Sequence, residues 1–173
     1  MSAVFAKIVR AHQPTTMNTP EFGERIAGQD YRPRPGAYAV IIDEPGRLAL
    51  FHKKDRYFLP GGGIERGETP EDALRREVRE EIGWSVAIIR KIGEATQYVI
   101  TKNNEYCAIQ GTYYEARLLQ QIGGPEDPGD ELLWLPQPEA IALLPRQSDA
   151  WAIAQTQIAN SDLTIPPGLH KTF

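Results

Sequence analysis

The sequence predicts an α+β fold on three observations. Several apolar runs have the length and alternation of strands, one central segment carries both the start and the stop signal of a helix, and two helical stretches follow near the C-terminus. With 173 residues the chain fits a single domain able to enclose a substantial core. Its 41% hydrophobic and 24% charged residues belong to a folded globular protein rather than a disordered one.

Taken in order, residues 1–35 read as an N-terminal extension packed on or beside the domain, because Pro14, Pro20, Pro33 and Pro35 interrupt any long regular element. From Gly36 the pattern sharpens. Residues 37–42 and 47–52 are strand-like around the turn signal Asp43-Glu-Pro-Gly46, which predicts a hairpin. Residues 57–60 make a short third strand that runs into Gly61, Gly62 and Gly63, where a loop is expected. The loop ends at a helix over residues 70–82. Thr69 is its N-cap and forms an approximate capping box with Asp72, Pro70 takes the first helical position, and Glu71 and Asp72 suit the positive end of the helix dipole. Gly83 can adopt the left-handed conformation that closes it. Strand-like runs follow at 86–92, 95–101, 106–118 and 132–135, the second and third joined around Asn103 and Asn104. Helices over 138–144 and 147–158 complete a domain spanning residues 36–160, and residues 161–173, with Pro166, Pro167 and Gly168, form an irregular tail.

The bulk properties exclude several classes. A net charge of -4 argues against a protein held to nucleic acid by neutralising phosphates. Cys107 is the only cysteine, so no intramolecular disulfide forms and a reducing cytoplasm fits best. The first fourteen residues carry Lys7, Arg10 and His12 without an apolar core, unlike a signal peptide. The longest apolar stretches, such as 37–42, are far short of the roughly 20 residues a spanning helix needs, so no membrane partner is expected. His12, His52 and His170 lack metal-ligand spacing, and the Walker A, H-E-x-x-H and C-x-x-C signatures are absent.

The helix over 70–82 carries the chemistry. At about 100° per residue, Leu74, Val78 and Ile82 form one apolar stripe, and Glu77, Glu80 and Glu81 fill an arc of about 100° beside it. Glu77 lies three and four residues before Glu80 and Glu81, spacings at which like charges cost roughly 0.2–0.5 kcal/mol per pair. One explanation is a solvated acidic face eased by Asp72 with Arg76 and Arg76 with Glu80. The other is a hard divalent cation, since clustered carboxylates suit magnesium, which keeps several waters and takes further ligands from a phosphorylated substrate. Glycines ahead of the helix, from Gly61 to Gly63, let backbone approach a metal or phosphate closely, or simply make a tight turn.

Residues 62–84 resemble the signature of the Nudix hydrolases, the family that includes the MutT-like enzymes. The pattern G-x5-E-x7-R-E-U-x-E-E-x-G-U, with U a bulky hydrophobic residue, is met by Gly62, Glu68, Arg76, Glu77, Val78, Glu80, Glu81, Gly83 and Trp84. Trp84 is aromatic where an aliphatic residue is usual, but keeps the bulk and apolarity. The residues leading in, from Tyr57 to Gly62, also resemble the family.

The resemblance implies an α/β/α sandwich around a mixed β-sheet and a hydrolase of phosphorus-containing anhydrides. Water would attack a phosphorus of a nucleoside diphosphate linked to another group. Glu77, Glu80 and Glu81, with a carbonyl from the Gly62 region, would hold Mg2+, for which Mn2+ would substitute. Arg76 and Glu68 would orient that cluster. Gly62, Gly63 and Arg56 are candidate substrate contacts, with Arg32 and Arg34 as further phosphate contacts. The base is Glu77 or Glu80 if the helix supplies it; if the acidic loop 126–131 does, Glu126 is preferred to Glu131. The expected partner is a small nucleotide or nucleoside diphosphate derivative, with homodimerisation left open. A non-catalytic nucleotide sensor of the same fold is the alternative, against which the intact glutamate set argues. Isomerase chemistry on a prenyl diphosphate lacks a cysteine near the motif. No proline falls between Trp84 and Pro125 to mark an ADP-ribose enzyme, and Tyr98 and Tyr106 do not discriminate a dinucleoside polyphosphate one.

Overall fold

The computed structural model describes residues 19–161, so most of the expected extension and tail lie outside the described residues. The strands are β1 (Glu21–Phe22), β2 (Arg32–Ile41), β3 (Arg47–Lys53), β4 (Arg56–Phe58) and β5 (Gly61–Gly63), then, after α1 (Pro70–Ile82), β6 (Trp84–Ile100), β7 (Tyr106–Gln121) and β8 (Glu131–Pro136). Helices α2 (Gln137–Leu143) and α3 (Gln147–Ser161) follow. Five strands form one sheet in the order β1-β6-β7-β2-β5, and three form a second in the order β4-β3-β8. The larger sheet is mixed: β2 runs parallel to β7 and β1 to β6, whereas β2 with β5 and β6 with β7 are antiparallel.

The alternation of β2 explains the layers. Ala37, Ala39 and Ile41 join Leu74, Val78 and Ile82 of α1 in one core, and Tyr38 and Val40 join Ala140 of α2 and Ala152 and Ile153 of α3 in the other. The sheet is thus covered on both faces, the expected α/β/α sandwich. Each large aliphatic side chain buried on α1 contributes roughly 1.5–3 kcal/mol, which outweighs the repulsion among its glutamates. The caps are as expected. Thr69 Oγ1 accepts from the Asp72 amide at 3.1 Å, and Gly83, at φ 72°, donates its N–H to the Arg79 carbonyl at 2.9 Å.

Several local expectations change. The turn at 43–46 forms, with Gly46 N–H to Asp43 O at 2.9 Å, but the flanking strands make no hairpin: only the Ile42–Leu48 bridge joins them before β2 and β3 enter different sheets. The edge of β2 that β3 would need is taken by β5, from Gly36↔Gly63 to Tyr38↔Gly61. The glycine run is therefore a strand and not a loop. Gly61, at φ 127°, lies so close to the Ala37 carbonyl that a side chain there would collide with it. Pro33 and Pro35 lie inside β2 instead of interrupting it. The Pro35 carbonyl accepts from Ile64 N–H at 3.1 Å, so its backbone faces the β5 edge and away from the ladder with β7. The runs 86–92 and 95–101 are one strand, β6, whose register shifts between Lys91 and Gly93; the expected break is a bulge. Asp72 pairs with Arg75 at 3.5 Å rather than with Arg76.

One buried polar network fixes the start of α3. Arg146 Nε donates to Asp149 Oδ2 at 2.9 Å, and the Tyr113 hydroxyl, on β7, reaches Asp149 Oδ1 at 3.0 Å and Ser148 Oγ at 2.8 Å. Burial pushes the Asp149 carboxyl up even with Arg146 against it.

Candidate active site

The exposed border of α1 faces β5 and the loop between β7 and β8. Arg76 organises it with all three of its nitrogens. Nε donates to Glu68 Oε1 at 2.7 Å, Nη2 to Glu68 Oε2 at 3.0 Å and to the Gly63 carbonyl at 2.9 Å, and Nη1 to Glu77 Oε1 at 2.9 Å and Glu80 Oε2 at 3.1 Å. The Arg76 guanidinium, helped by the Glu65 amide at 2.9 Å, holds the Glu68 carboxyl down at about 2. Glu68 and Arg76 thus tie the β5 end and the helix into one rigid unit.

Glu81 points the other way, accepting from Gly61 N–H at 2.9 Å. Burial pushes its carboxyl well above the ordinary range, with the charges of Glu77 and Asp130 acting in the same direction. Gly62 shows why glycine is needed: a Cβ there would sit 2.5 Å and 2.6 Å from the two Glu77 carboxylate oxygens. The Gly61 amide and the Gly63 carbonyl are both engaged with α1 side chains, so β5 holds the helix as well as walling the site.

The β7–β8 loop closes the other side. Glu126 N–H donates to the Glu80 carbonyl at 2.8 Å, and Ile122 and Gly123 donate to Gly83 O at 2.8 Å and 3.1 Å. Lys53, at the end of β3, bridges Asp127 at 2.5 Å and Asp130 at 3.1 Å. Those two bonds push the Lys53 ammonium up and the Asp127 carboxyl down. The result is a cavity of about 200 Å³ lined by Glu77, Glu80, Glu81, Glu126, Asp127 and Asp130, with Lys53 as the single cation among its lining residues. Phe51, Lys53 and Glu81 also line an adjoining cavity of about 500 Å³ that carries Arg32, Arg34 and Gly61 to Gly63.

The structure therefore brings together Glu77, Glu80, Glu81 and Glu126, with Gly62, Gly63, Glu68 and Arg76 holding or walling them. Glu131 is exposed in β8, opposite His52, and does not line the acidic cavity. Arg56 lines a different concavity, together with Arg34 and Arg146. Cys107 is 1% exposed within β7. Sequence reasoning missed Lys53, which stands in an ordinary Lys53-Lys54 pair; its role depends on a loop more than seventy residues away. Asp127 and Asp130 had a signal, the acidic loop, but nothing local distinguished them from Glu126.

Oxygen donors of this kind fit a hard divalent cation. Among the described residues no three acidic, histidine or cysteine side chains already converge on one point. Arg76 Nη1 lies against both Glu77 and Glu80, and Gly61 holds Glu81. A side-chain adjustment would free these oxygens, and the missing side chain at Gly62 is what lets the Glu77 carboxylate lie against β5 at the cavity.

Comparison with known proteins agrees with this fold. An RNA pyrophosphohydrolase of Sulfurovum sp. (strain NBC37-1) is 38% identical over 76 residues, 41% of this chain and 47% of that protein. An 8-oxo-(d)GTP phosphatase of Mycolicibacterium smegmatis is 32% identical over 108 residues, 59% of this chain and 31% of that one. The chain thus spans less than half the length of either relative. A NUDIX hydrolase from Nitrosomonas europaea shares the fold, with a TM-score of 0.62 at 18% identity over 80% of this chain and 100% of that one. The family model described as the NUDIX domain matches residues 32–156, well over half of the sequence, and the chain belongs to that family.

Proposed function

We propose that the chain is a hydrolase that cleaves the diphosphate linkage of a nucleoside diphosphate derivative with the help of Mg2+, which Mn2+ would replace. The observation that carries this reading is the single cavity lined by three helix glutamates and three loop carboxylates. Like charges at such density suit a site completed by a dication. The names of the two relatives, which refer to 8-oxo-(d)GTP and to RNA, support a nucleotide carrying a phosphate chain.

In this reading Glu77, Glu80 and Glu81, with a backbone carbonyl from the Gly62 region, hold the metal. The bound cation supplies charge neutralisation on the phosphates and lowers the pKa of a water. Arg76 and Glu68 keep the three carboxylates in register. Glu126 takes the proton from the attacking water; its backbone is pinned to the C-terminal end of α1 by the bond to the Glu80 carbonyl, which sets its side chain at the cavity wall. Lys53 offsets part of the acidic field through Asp127 and Asp130, and Arg32 and Arg34 flank the route by which an anionic substrate reaches Glu81. The domain at residues 36–160 carries the reaction, and the single cysteine supports a reducing cytoplasm as its compartment. No helix among the described residues is long and apolar enough to cross a membrane.

The test is a hydrolysis screen of nucleoside di- and triphosphates, nucleotide sugars, ADP-ribose and dinucleoside polyphosphates with Mg2+ present and then chelated by EDTA. Turnover of at least one class that stops on chelation is the expected outcome. Undiminished turnover in EDTA, or none with any class, removes the reading.

A further inference from the structure

On the far side of the 500 Å³ cavity lies a second concavity of about 900 Å³, lined by Arg34, Arg56, Lys102 and Arg146, with Glu105 the one carboxylate among its lining residues. In a chain of net charge -4 this is a local inversion of sign. Arg34, Arg56 and Lys102 form no ion pair among the described residues. Arg146 is 8% exposed, lies 4.2 Å over the Tyr38 ring and pairs with Asp149, yet its Nη2 has no hydrogen-bond partner. Arg146 is already answered by Asp149 in the core, so the surplus lies with Arg34, Arg56 and Lys102, three cations on one concavity without a carboxylate partner among the described residues. Cations gathered around a concave, partly apolar wall focus the field and concentrate negative ligands there.

Its position relates it to the acidic cavity. Arg34, Phe58, Ile109 and Arg146 line both the 900 Å³ concavity and the cavity that reaches Gly61, Gly62 and Glu81. One ligand can therefore extend from the carboxylates, across that shared wall, to Arg56 and Lys102. We propose that the concavity is a subsite for a phosphate attached to the ribose of the substrate, separate from the diphosphate that is cleaved. The preferred substrates are then nucleotides with a second phosphate, either a ribose monoester or the diester to a following nucleotide. The link to turnover rests on the hydrolase reading; the binding does not.

Titration calorimetry in EDTA compares three probes: adenosine 5′-monophosphate, adenosine 3′,5′-bisphosphate and the 5′-phosphorylated dinucleotide pApA. The second phosphate should tighten binding by about tenfold or more, the factor one charge-assisted contact contributes, and added salt should erode the gain. Tightening of the bisphosphate alone assigns the monoester, and tightening of the dinucleotide assigns the diester. The gain should vanish in the Arg56→Ala/Lys102→Ala double variant, whose two side chains are exposed and leave the core untouched, and persist in Arg117→Ala, exposed on β7. Equal affinity for all three probes, or a gain that survives the double variant, overturns the proposal. Absence of hydrolysis with the gain intact removes the hydrolase reading and leaves the subsite standing; hydrolysis without the gain removes the subsite alone.

Discussion

Arg76 and Arg146 both stand among carboxylates, but the two networks are balanced differently. Arg76, on α1, serves Glu68, Glu77 and Glu80, and Glu81 lies on the same helix beside them, so the carboxylates outnumber the guanidinium several times over. Arg146, before α3, faces one acid, Asp149, in a pair whose side chains are 9% and 0% exposed. The first region keeps a surplus of negative charge at the rim of a cavity. The second closes its charges on themselves inside the core. A surplus is tolerable only where solvent or a cation offsets it, whereas a buried charge without its partner is costly. The contrast separates a region organised for chemistry from one organised for stability.

The sharpest way to break that contrast is to neutralise the surplus. Glu77→Gln and Glu81→Gln should each lower kcat by about 10²–10³-fold or more while the fold stays intact or gains slightly, because the like-charge repulsion goes with the charge. Near-native rates in both variants would make the α1 border an ordinary acidic face. Glu126→Gln extends the test to the loop. If it supplies the base, kcat falls by about 10²–10⁴-fold with the magnesium dependence unchanged, while Glu131→Gln, outside the cavity, is silent. A helix base gives the opposite pattern: a wild-type rate for Glu126→Gln, and lost turnover together with weakened metal binding for Glu80→Gln.

Neutralising the balanced region should act on stability instead. Asp149→Asn strands the Arg146 guanidinium in the core, where removing one partner of a buried pair costs about 3–5 kcal/mol. Urea unfolding measures it. A change under 1 kcal/mol would show that the Arg146–Asp149 pair is no more than a surface-grade contact.

The two regions were also unequally legible in the sequence. Helix α1 is specified by neighbours in the chain: Thr69, Pro70 and Gly83 fix its ends, the Leu74–Val78–Ile82 stripe fixes its buried side, and the glutamate spacing follows from the helical period. The family signature sits on those same residues. What escaped depends on partners distant in sequence. The turn at 43–46 was legible as a turn, but whether its flanking strands pair is decided by β5, which occupies the edge of β2. The glycine run offers no side-chain alternation, so nothing in it announces a strand. Lys53 takes its meaning from Asp127 and Asp130, and Arg146 from Asp149 together with Tyr38 and Tyr113 on β2 and β7. Arg56 looked like a phosphate contact because it immediately precedes the motif, yet β4 directs it to the neighbouring basic concavity.

The smallest expected effect sharpens the comparison at its edge, where Glu68 meets Arg76. Its carboxyl is held at about 2, against an ordinary value of 4.5, first by the hydrogen bonds from Arg76 and then by the Glu65 amide. A folded-state value below the unfolded one means that the group stabilises the fold fully above about pH 4.5, and that this share is lost as the pH falls toward 2. Glu68→Gln has no such share to lose. In urea unfolding followed from pH 7 down to about pH 2.5, the wild-type midpoint should fall more steeply below pH 4.5 than that of Glu68→Gln, the two curves converging at the acid end. Parallel curves would mean that the pair only orients Arg76. In that case Glu68→Gln should still lower kcat, because Arg76 would lose the carboxylate that fixes its plane against Glu77 and Glu80.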